Sequence, residues 1–595
     1  MRRRSFATLL FFLASIPAAA HVGQHASIHD TVAGVIVRMR DTLSPDDIKK
    51  LDAARALDFL TPEERKILGE DYLVFKVSVP VTVSVFHHTS LGSDPFWLKA
   101  RGFEETGVSL KVADNEFDTW EKKFDAGEIG LGVNSLGGGR EHYFVSVRAQ
   151  DRRAETELTI QDIYPGQHSL TTFTVGARPW NDTMDTLLGV PKELEGSLLV
   201  RGVRSRRNDA QLTGVLRITE WPSSQKPDHV VLTWSADPHT TQTVQWRTNT
   251  QTASGVVAYA RKDAGAFDPA TAAHVVAETR EIVVNTLVND PVVNWHTATM
   301  AGLEPGTAYV YSVGDGKGAW RAAAEFKTVP ADPGPFSFIY MGDAQNGLDE
   351  WGSLIRKSIE QEPDTAFYIM AGDLVNRGAE RDDWDSLFHS AEGVWDRKPV
   401  VPVPGNHEYQ GGSVQLYLDQ FALPADSPLG ELNYTLRYGN ALFVMLDSNL
   451  DAKDQASWLE EQLKNTDATW KIAVYHHPSY SSSPNRNNAE VRKVWGALFD
   501  KYHVDLALQG HDHAYLRTYP MKAEKRVGSP AEGTIYIVAV SGNKFYEQGK
   551  FDYTEFGMTN VSTYQVLDIK IDGNRLEYGA YDVTGTMRDT FVIEK

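Results

Sequence analysis

The chain has 595 residues, 42% of them hydrophobic, and this length predicts three or four domains because it exceeds what a single core supports. Acidic residues outnumber basic ones by 79 to 59 and give a net charge of −20, which disfavours a uniformly basic nucleic-acid or anionic-membrane binder. The absence of cysteine excludes disulfides, thiolate metal sites and cysteine nucleophiles, so a metal site must use His, Asp, Glu, Asn, Gln or Tyr.

The N-terminus begins with Met and three arginines, and an apolar run over residues 6–16 precedes Pro-Ala-Ala-Ala. A basic start, a short apolar segment and small residues at its end are typical of a signal peptide, with cleavage expected after Ala20. The alternative is an N-terminal membrane anchor, which the run disfavours because a bilayer span needs about 20 residues. No later segment approaches such a span. We therefore expect residues 1–20 to direct export to a periplasm or out of the cell.

Helix and strand signals follow in the next part of the chain. Ser44 and Thr61 each stand before Pro and two acidic residues, a pattern that predicts a capped helix start. Residues 75–85 alternate apolar with polar residues and predict one half-buried strand, placed at a sheet edge by its internal proline. The neighbouring His87 and His88 are expected to be ordinary surface residues.

Residues 21–225 are predicted to form a helical lead-in and a β-rich domain of unknown role. The next region contains Trp-bearing stretches at 230–234 and 244–246 and the sequence Leu-Glu-Pro-Gly-Thr-Ala-Tyr at 303–309. On these residues, region 226–330 resembles a fibronectin type III domain of the kind that precedes purple acid phosphatase catalytic domains. In such a sandwich the Trp side chains fill a two-sheet core, and the last stretch is a tyrosine corner that ties a strand end to a loop.

From residue 331 to 595 short apolar runs alternate with helical stretches such as 454–464 and 489–502, which indicates an α/β domain. Five of the apolar runs end in polar sequences that begin at positions 342, 372, 405, 476 and 510: GDAQ, GDLVN, GNHE, HH and GHDH. Ligands of open α/β sheets gather beyond the carboxyl ends of strands, so these residues are predicted to converge on one pocket. One such sequence alone fits an ordinary turn, whereas the ordered set of five favours a functional site.

This set resembles the calcineurin-like metallophosphoesterases and, within them, the purple acid phosphatase branch. The resemblance covers about residues 335–595 and the fibronectin-like domain ahead of them. It implies an α/β domain with two mixed sheets flanked by helices, and a hydrolase that uses two metal ions. Carried over residue by residue, Asp373 is expected to bridge both ions, Asp343 and His513 to hold the first, and Asn406, His476 and His511 to hold the second.

Two divalent ions about 3.5–4 Å apart neutralise phosphoryl oxygens and lower the pKa of a shared water, so that hydroxide is available as the nucleophile. Oxygen and nitrogen ligands suit Fe, Mn, Zn or Co without choosing among them. In this family His407 faces the leaving-group oxygen, so we expect a general acid or phosphate donor whose ring Glu408 orients. His477 is expected to bind substrate or to pack behind the ligands. The candidate phosphate clamps, with surface solvation as the alternative for each, are Arg377, Arg486 and Arg517.

Two positions depart from the family pattern. Purple acid phosphatases have Tyr three residues after the bridging Asp, where this chain has Asn376. Other metallophosphoesterases have His two residues after the first Asp, where this chain has Gln345. Either amide oxygen could complete the first metal shell, and the absence of a phenolate ligand predicts a colourless enzyme.

These features predict an exported acid phosphatase-type phosphomonoesterase that acts on a small phosphorylated substrate and has no nucleic-acid partner. The first alternative is a phosphodiesterase or nucleotide hydrolase built on the same metals. The second is a surface-binding protein whose β-domains act while its catalytic domain is vestigial. A serine hydrolase has little support, because no Gly-x-Ser-x-Gly sequence is present.

Overall fold

The computed structural model describes residues 28–91, 93–137, 142–181, 183–203, 210–331, 334–484, 486–569 and 573–595. The chain divides into two compact units, with the boundary between Leu216 and Arg217. The expected signal peptide, residues 1–20, lies outside the described residues. Among the helices that the structure describes, none has the length and apolar character that a bilayer crossing requires.

The first unit is strand-rich and carries its helices mainly at its start. Its helices are α1 (Ile28–Thr42), α2 (Pro45–Lys49), α3 (Ala53–Asp58), α4 (Pro62–Glu70) and α5 (Phe96–Ala100). Its strands are β1 (Leu73–Val77), β2 (Val81–His88), β3 (Glu104–Val112), β4 (Asn115–Phe124), β5 (Gly127–Leu131), β6 (Phe144–Ala149), β7 (Ile160–Tyr164), β8 (Ser169–Thr172) and β9 (Leu198–Arg201). They form a three-stranded sheet in the order β5-β1-β7 and a six-stranded sheet in the order β3-β4-β2-β6-β9-β8.

The two predicted helix starts are confirmed. The Ser44 side chain accepts a hydrogen bond from the backbone N–H of Asp47, which begins α2. Thr61 and Glu64 form a capping box in which each side chain accepts from the other's backbone N–H, and this begins α4. Both interactions satisfy N–H groups that a helix leaves unpaired in its first turn.

The prediction of a single edge strand over residues 75–85 is wrong. The chain forms β1 and β2, which belong to different sheets and are separated at Pro80. Proline has no N–H to donate, so it interrupts a strand ladder. The expectation that His87 and His88 lie on the surface is also wrong: they are 4% and 6% exposed, because β2 lies inside the six-stranded sheet.

The second unit begins with a β-sandwich made of two four-stranded antiparallel sheets. Its strands are β10 (Asp228–Thr233), β11 (Thr241–Asn249), β12 (Val256–Arg261), β13 (Ala273–Val276), β14 (Glu278–Val283), β15 (Val292–Ala301), β16 (Ala308–Gly314) and β17 (Ala324–Lys327). The sheet orders are β10-β11-β15-β14 and β13-β12-β16-β17. Trp246 is fully buried in the core, and the Tyr309 hydroxyl accepts the backbone N–H of Glu304 at 2.9 Å, so the predicted tyrosine corner is present.

The α/β domain follows. Its helices are α6 (Leu348–Gln361), α7 (Arg381–Ser390), α8 (Gln415–Gln420), α9 (Ala452–Lys464) and α10 (Ala489–Tyr502). Its strands are β18 (Phe336–Met341), β19 (Tyr368–Ala371), β20 (Val400–Val403), β21 (Tyr434–Tyr438), β22 (Ala441–Met445), β23 (Trp470–Val474), β24 (Leu506–Gln509), β25 (Tyr515–Thr518), β26 (Met521–Lys522), β27 (Lys525–Arg526), β28 (Ile535–Val538), β29 (Thr554–Met558), β30 (Thr563–Ile569), β31 (Arg575–Asp582) and β32 (Met587–Glu594).

Two mixed sheets form this domain, in the orders β20-β19-β18-β30-β31-β32 and β21-β22-β23-β24-β28-β25-β29. In the first sheet β18, β19 and β20 are parallel, and in the second β22, β23, β24 and β28 are parallel. The sheets touch where the Tyr340 hydroxyl donates to the carbonyl of Gln509. The predicted fold class, a β-rich region, a β-sandwich and an α/β domain with two mixed sheets, is confirmed.

One hydrophobic cluster extends from the sandwich into the α/β domain, and the sandwich also has a core of its own. Trp234 packs edge-on against Phe367 with ring centroids 5.6 Å apart, and the Leu232 N–H donates to the Trp395 carbonyl at 2.9 Å. The buried Arg247 guanidinium donates to the carboxylate of Asp385 on α7 at 2.7 Å. The sandwich therefore supports the strands and helices that position the candidate site.

Candidate metal centre

The predicted ligands stand in the loops that follow parallel strands of both sheets. Asp343 and Asp373 follow β18 and β19, and His476 follows β23. His511 and His513 follow β24. Four of these residues adopt left-handed backbone conformations, with φ of 46° at Asp343, 50° at Asp373, 76° at His511 and 47° at His513. Such conformations cost free energy in residues other than glycine, and they persist where the surrounding structure holds them, often at functional sites.

The side chains of these five residues form two groups that share one carboxylate. Asp373, His476 and His511 offer ligand atoms that lie within 4.8 Å of one another, and so do Asp343, Asp373 and His513. The Nε2 atom of His476 lies 3.1 Å from Asp373 Oδ2. Asp373 therefore stands between the two groups, where a bridging ligand is expected.

Burial and charge set the protonation of this cluster. Burial raises the pKa of Asp343 well above its ordinary value, and the neighbouring His476 offsets only part of the effect. Burial lowers the pKa of His476, but the charges of Asp373 and Asp343 outweigh it and raise that pKa to about 9. Burial and then the Lys544 charge lower the pKa of His513 to about 3, which keeps this imidazole neutral, as metal ligation requires.

The donor set fits a bound cation. Among the described residues, the buried oxygens Asp343 Oδ1, Gln345 Oε1 and Asn406 Oδ1 accept no hydrogen bond. An unpaired buried acceptor is costly, and a metal ion would supply the missing partner. The backbone at two glycines also lies close to the candidate ligands. A Cβ atom at Gly405 would lie 2.2 Å from Asp373 Oδ1, and one at Gly510 would lie 2.4 Å from Asp343 Oδ2.

The two amides at the departures from the family pattern are placed differently. Gln345 is fully buried, and its Nε2 lies 2.8 Å from Asp373 Oδ2 and 3.2 Å from His513 Nε2. Because the carboxamide can rotate by half a turn, Oε1 can replace Nε2 beside Asp373 and His513 when a cation is bound. Asn376 is only half-buried, and it reaches the site through its backbone carbonyl, which accepts a hydrogen bond from His407 Nδ1 at 2.5 Å.

His407 lies beside the shared carboxylate. Its backbone N–H donates to Asp373 Oδ1 at 2.9 Å, and its ring Nε2 lies 3.9 Å from Asp373 Oδ2. Asn406, which precedes it, is held on the same loop. The ring is therefore anchored through Nδ1 and directs Nε2 toward the cluster.

Glu408 does not orient the His407 ring, as the sequence had led us to expect. Its buried carboxylate accepts hydrogen bonds from four backbone N–H groups, those of Asp373, Leu374, Val375 and Gly405, at 2.6 to 3.3 Å. Burial and the nearby Asp373 charge raise the pKa of Glu408 to about 7. Glu408 thus fixes the loops after β19 and β20 against each other.

The three candidate arginine clamps have different partners. Arg517 donates to Asp589 through Nε and Nη2, at 2.7 and 3.0 Å, and Arg377 donates to Asp383 through Nε at 3.0 Å. These ion pairs give both arginines a structural partner, and the structure does not bring either into contact with the ligand cluster. Arg486 alone of the three touches a ligand loop, where its Nη1 donates to the His511 carbonyl at 2.7 Å.

His477 lies next to the ligands. Its ring centroid is 4.4 Å from that of His511, and its Nδ1 pairs with the Ser448 hydroxyl at 2.8 Å. Burial and the charge of His476 lower the pKa of His477 to about 3. Because β23 ends at Val474, the alternation of a strand does not apply to this residue.

Two groups of residues near the site were missed from the sequence. Asp447 and Ser448 follow β22, and the Asp447 carboxylate accepts the hydroxyl of Tyr409 at 2.5 Å. The signal was available, because an apolar run followed by Asp-Ser-Asn repeats the pattern of the other strand ends. The second group is the segment after β28, where the carbonyl of Lys544 accepts from His513 Nδ1 at 3.0 Å and Tyr546 packs on the His513 ring.

Residues 336–515, which carry the clustered Asp and His side chains at their strand ends, match the family model described as calcineurin-like phosphoesterase. Residues 227–328 match the purple acid phosphatase N-terminal domain. Residues 227–515 therefore carry the two domains of the purple acid phosphatase branch, and the resemblance drawn from the motifs is confirmed.

Relatives agree with this assignment. Purple acid phosphatase 23 of Arabidopsis thaliana is 28% identical over 265 residues, which cover 37% of this chain and 57% of that protein. Probable inactive purple acid phosphatase 1 of the same plant is 28% identical over 301 residues, or 42% of this chain and 48% of that protein. The chain thus spans about half the length of these relatives.

A solved structure is similar over most of the chain. Purple acid phosphatase PPD1 from yellow lupin (Lupinus luteus) seeds has a TM-score of 0.55 and 15% sequence identity. The match covers 88% of this chain and 93% of that one. At this identity the likeness establishes the fold.

Proposed function

We propose that the chain is an exported phosphoric-ester hydrolase that uses two metal ions and acts on small phosphomonoesters. The observation that carries the proposal is the position of Asp373, which belongs to both groups of candidate ligands. A carboxylate shared between two sets of imidazole and carboxylate donors is the arrangement that a two-metal phosphoesterase needs.

The donors divide between the two ions as follows. Asp343, Gln345, Asp373 and His513 would hold the first, and Asp373, Asn406, His476 and His511 would hold the second. When bound, the ions would neutralise the phosphoryl oxygens and supply an activated water as the nucleophile. The oxygen and nitrogen donors suit Fe, Mn, Zn or Co. We assign the amide of Gln345 rather than that of Asn376 to the first ion, because Gln345 is buried against Asp373 and His513.

His407 is proposed as the general acid. Its Nδ1–H donates to the Asn376 carbonyl, so a proton on Nε2, at the edge of the cluster, would be the second proton of the imidazolium form of the ring. That proton can pass to the oxygen of the departing alcohol as the phosphorus–oxygen bond breaks. Glu408 contributes by holding the loops that carry Asp373 and His407 in place.

Elemental analysis combined with a phosphoester panel tests the proposal. We expect about two metal ions per chain and hydrolysis of aryl phosphomonoesters in preference to diesters. Asp373→Asn should remove metal and activity together, while Asp467→Asn, at a side chain 93% exposed in the same unit, is the matched control. Preferred hydrolysis of diesters would favour the diesterase alternative. Metal-loaded protein that cleaves no phosphoester would favour a vestigial catalytic domain.

Export is proposed from the basic and apolar N-terminal sequence. Sequencing the N-terminus of protein isolated from the native host tests it. The mature chain is expected to begin at His21, and an intact Met1 would contradict cleavage.

A further inference from the structure

We propose that a cavity between the sandwich and the end of α7 is a binding site for a small organic cation that carries an N–H donor and has about the size of one ring. The cavity has a volume of about 160 Å³ and lies within the second unit. None of the described residues that line it is a candidate metal ligand. The site is therefore separate from the metal centre, and the proposal does not depend on the proposed function.

Four aromatic rings line the cavity. Trp221 stacks on His389 with ring centroids 3.4 Å apart, and Phe388 stacks on His229 with centroids 5.4 Å apart. An engineered cavity of about 150 Å³ binds benzene, so this cavity has room for a ligand of one ring. Aromatic rings attract organic cations through their faces, and proteins use such surroundings to recognise ammonium groups.

His229 brings an unpaired polar group to the cavity. The residue is only 7% exposed, and its ring forms no hydrogen bond with any residue that the structure describes. Its Nδ1 lies 3.8 Å from Asp385 Oδ1, which is beyond hydrogen-bond distance but favours a proton on that nitrogen. Burial, and then the charge of Arg247, lower the pKa of His229 well below its ordinary value, so the ring is neutral and Nε2 is an acceptor. A buried acceptor without a partner is costly, and a ligand N–H would supply the partner.

The backbone at His229 is shaped to hold this ring where it lies. Between Asp228 and Val231 the pairing of β10 with β11 shifts by one residue, which is a β-bulge. His229 lies in the bulge with φ of 50°, a left-handed conformation that residues with a side chain rarely adopt. Bulges redirect side chains and are frequent beside functional sites, so this distortion agrees with a binding role for the ring.

Carboxylates outnumber cations in the lining of the cavity. Glu392 and Asp396 share the single guanidinium of Arg321, at 2.9 and 3.1 Å. Glu220 is exposed and pairs with no cation among the described residues. Asp228 also lines the cavity, but a guanidinium already pairs with it at 2.7 Å. The lining thus carries an excess of negative charge, which favours a cationic ligand over an anionic one.

Calorimetry on the full chain tests the charge of the ligand with three probes of similar shape: benzylammonium, benzyl alcohol and benzoate. We expect benzylammonium to bind at least about tenfold more tightly than benzyl alcohol, the effect of one charge-assisted hydrogen bond, and benzoate to bind least tightly. Equal binding of benzylammonium and benzyl alcohol would overturn the proposal, and so would the absence of benzylammonium binding at millimolar concentration.

Variants show whether binding occurs in this cavity. The double variant Glu220→Gln and Glu392→Gln removes two exposed carboxylates and should lower the preference for benzylammonium over benzyl alcohol at least about threefold. The matched control is the double variant Glu278→Gln and Glu281→Gln, at exposed positions of β14, which changes the net charge equally. An unchanged preference in the first variant, or the same decrease in both, would overturn the proposal.

His229→Phe keeps a ring in the cavity and removes the acceptor, so it should weaken benzylammonium binding at least about threefold. Wild-type affinity in this variant would contradict the role of the His229 ring. The two exposed glutamates can be replaced without disturbing the core, so their variant decides the outcome even where His229→Phe fails to fold.

Discussion

Replacing Glu408 with Gln tests how the two ligand loops are held together. Oε1 of Glu408 accepts from Leu374 and Val375, and Oε2 accepts from Asp373 and Gly405. Gln keeps the shape but turns one oxygen into an NH₂ donor, so two buried N–H groups lose their acceptor. At about 1–3 kcal/mol for each unsatisfied group, the free energy of unfolding of the second unit should fall by about 2–6 kcal/mol.

Urea unfolding of metal-free protein measures this loss, and hydrogen exchange read by mass spectrometry locates it. Peptides covering residues 372–376 and 404–408 should exchange faster in Glu408→Gln than in wild type. Glu547→Gln, at an exposed position of the same unit, is the matched control. A change below about 0.5 kcal/mol, which is ordinary for a surface substitution, would refute the role assigned to Glu408.

Three further outcomes are expected. Gln345→Ala should weaken binding of the first metal at least about tenfold in a Co(II) titration followed by visible absorption, whereas Asn376→Ala should not; equal effects would contradict the assignment. His407→Asn should lower kcat by about 10²–10⁴-fold with metal content retained, most strongly for leaving groups of high pKa, and a uniform loss across leaving groups would argue against proton transfer. Burial lowers the pKa of His296 to about 4, so between pH 6.5 and 4 its unfolded imidazole takes up a proton that the folded one does not. As the pH is lowered through this range, the free energy of unfolding should therefore decrease by up to about 1.4 kcal/mol per pH unit because of this group. The His296→Gln variant should show a flatter dependence on pH in denaturation measurements.

The candidate ligands could be located from the sequence because each lies directly after an apolar run. Phe-Ser-Phe-Ile-Tyr-Met, which ends just before Gly342 and Asp343, fits a buried strand in an α/β pattern, and the carboxyl ends of parallel strands share an edge. The left-handed backbone at Asp343 and Asp373 was not predictable, because the hydrogen bonds that impose it come from loops far along the chain.

Partners distant in sequence explain most of what was missed. Glu408 was paired with its neighbour His407, whereas its carboxylate binds the loop after β19, more than thirty positions earlier. Arg517 looked available beside the last motif, but its ion pair with Asp589 is formed by a strand at the end of the chain. Local patterns do not record such pairings, and His87 shows the same limit, since only its place in the sheet order makes it buried.

The hydrophobic cluster that extends from the sandwich into the α/β domain bears on how the protein can be dissected. A recombinant fragment that begins near residue 331 would expose Phe367 and Phe388 to water and would lack Arg247, which donates to the buried Asp385 carboxylate. The shortest fragment suited to expression therefore starts at Arg217, ahead of the sandwich, and not at the phosphoesterase motifs themselves.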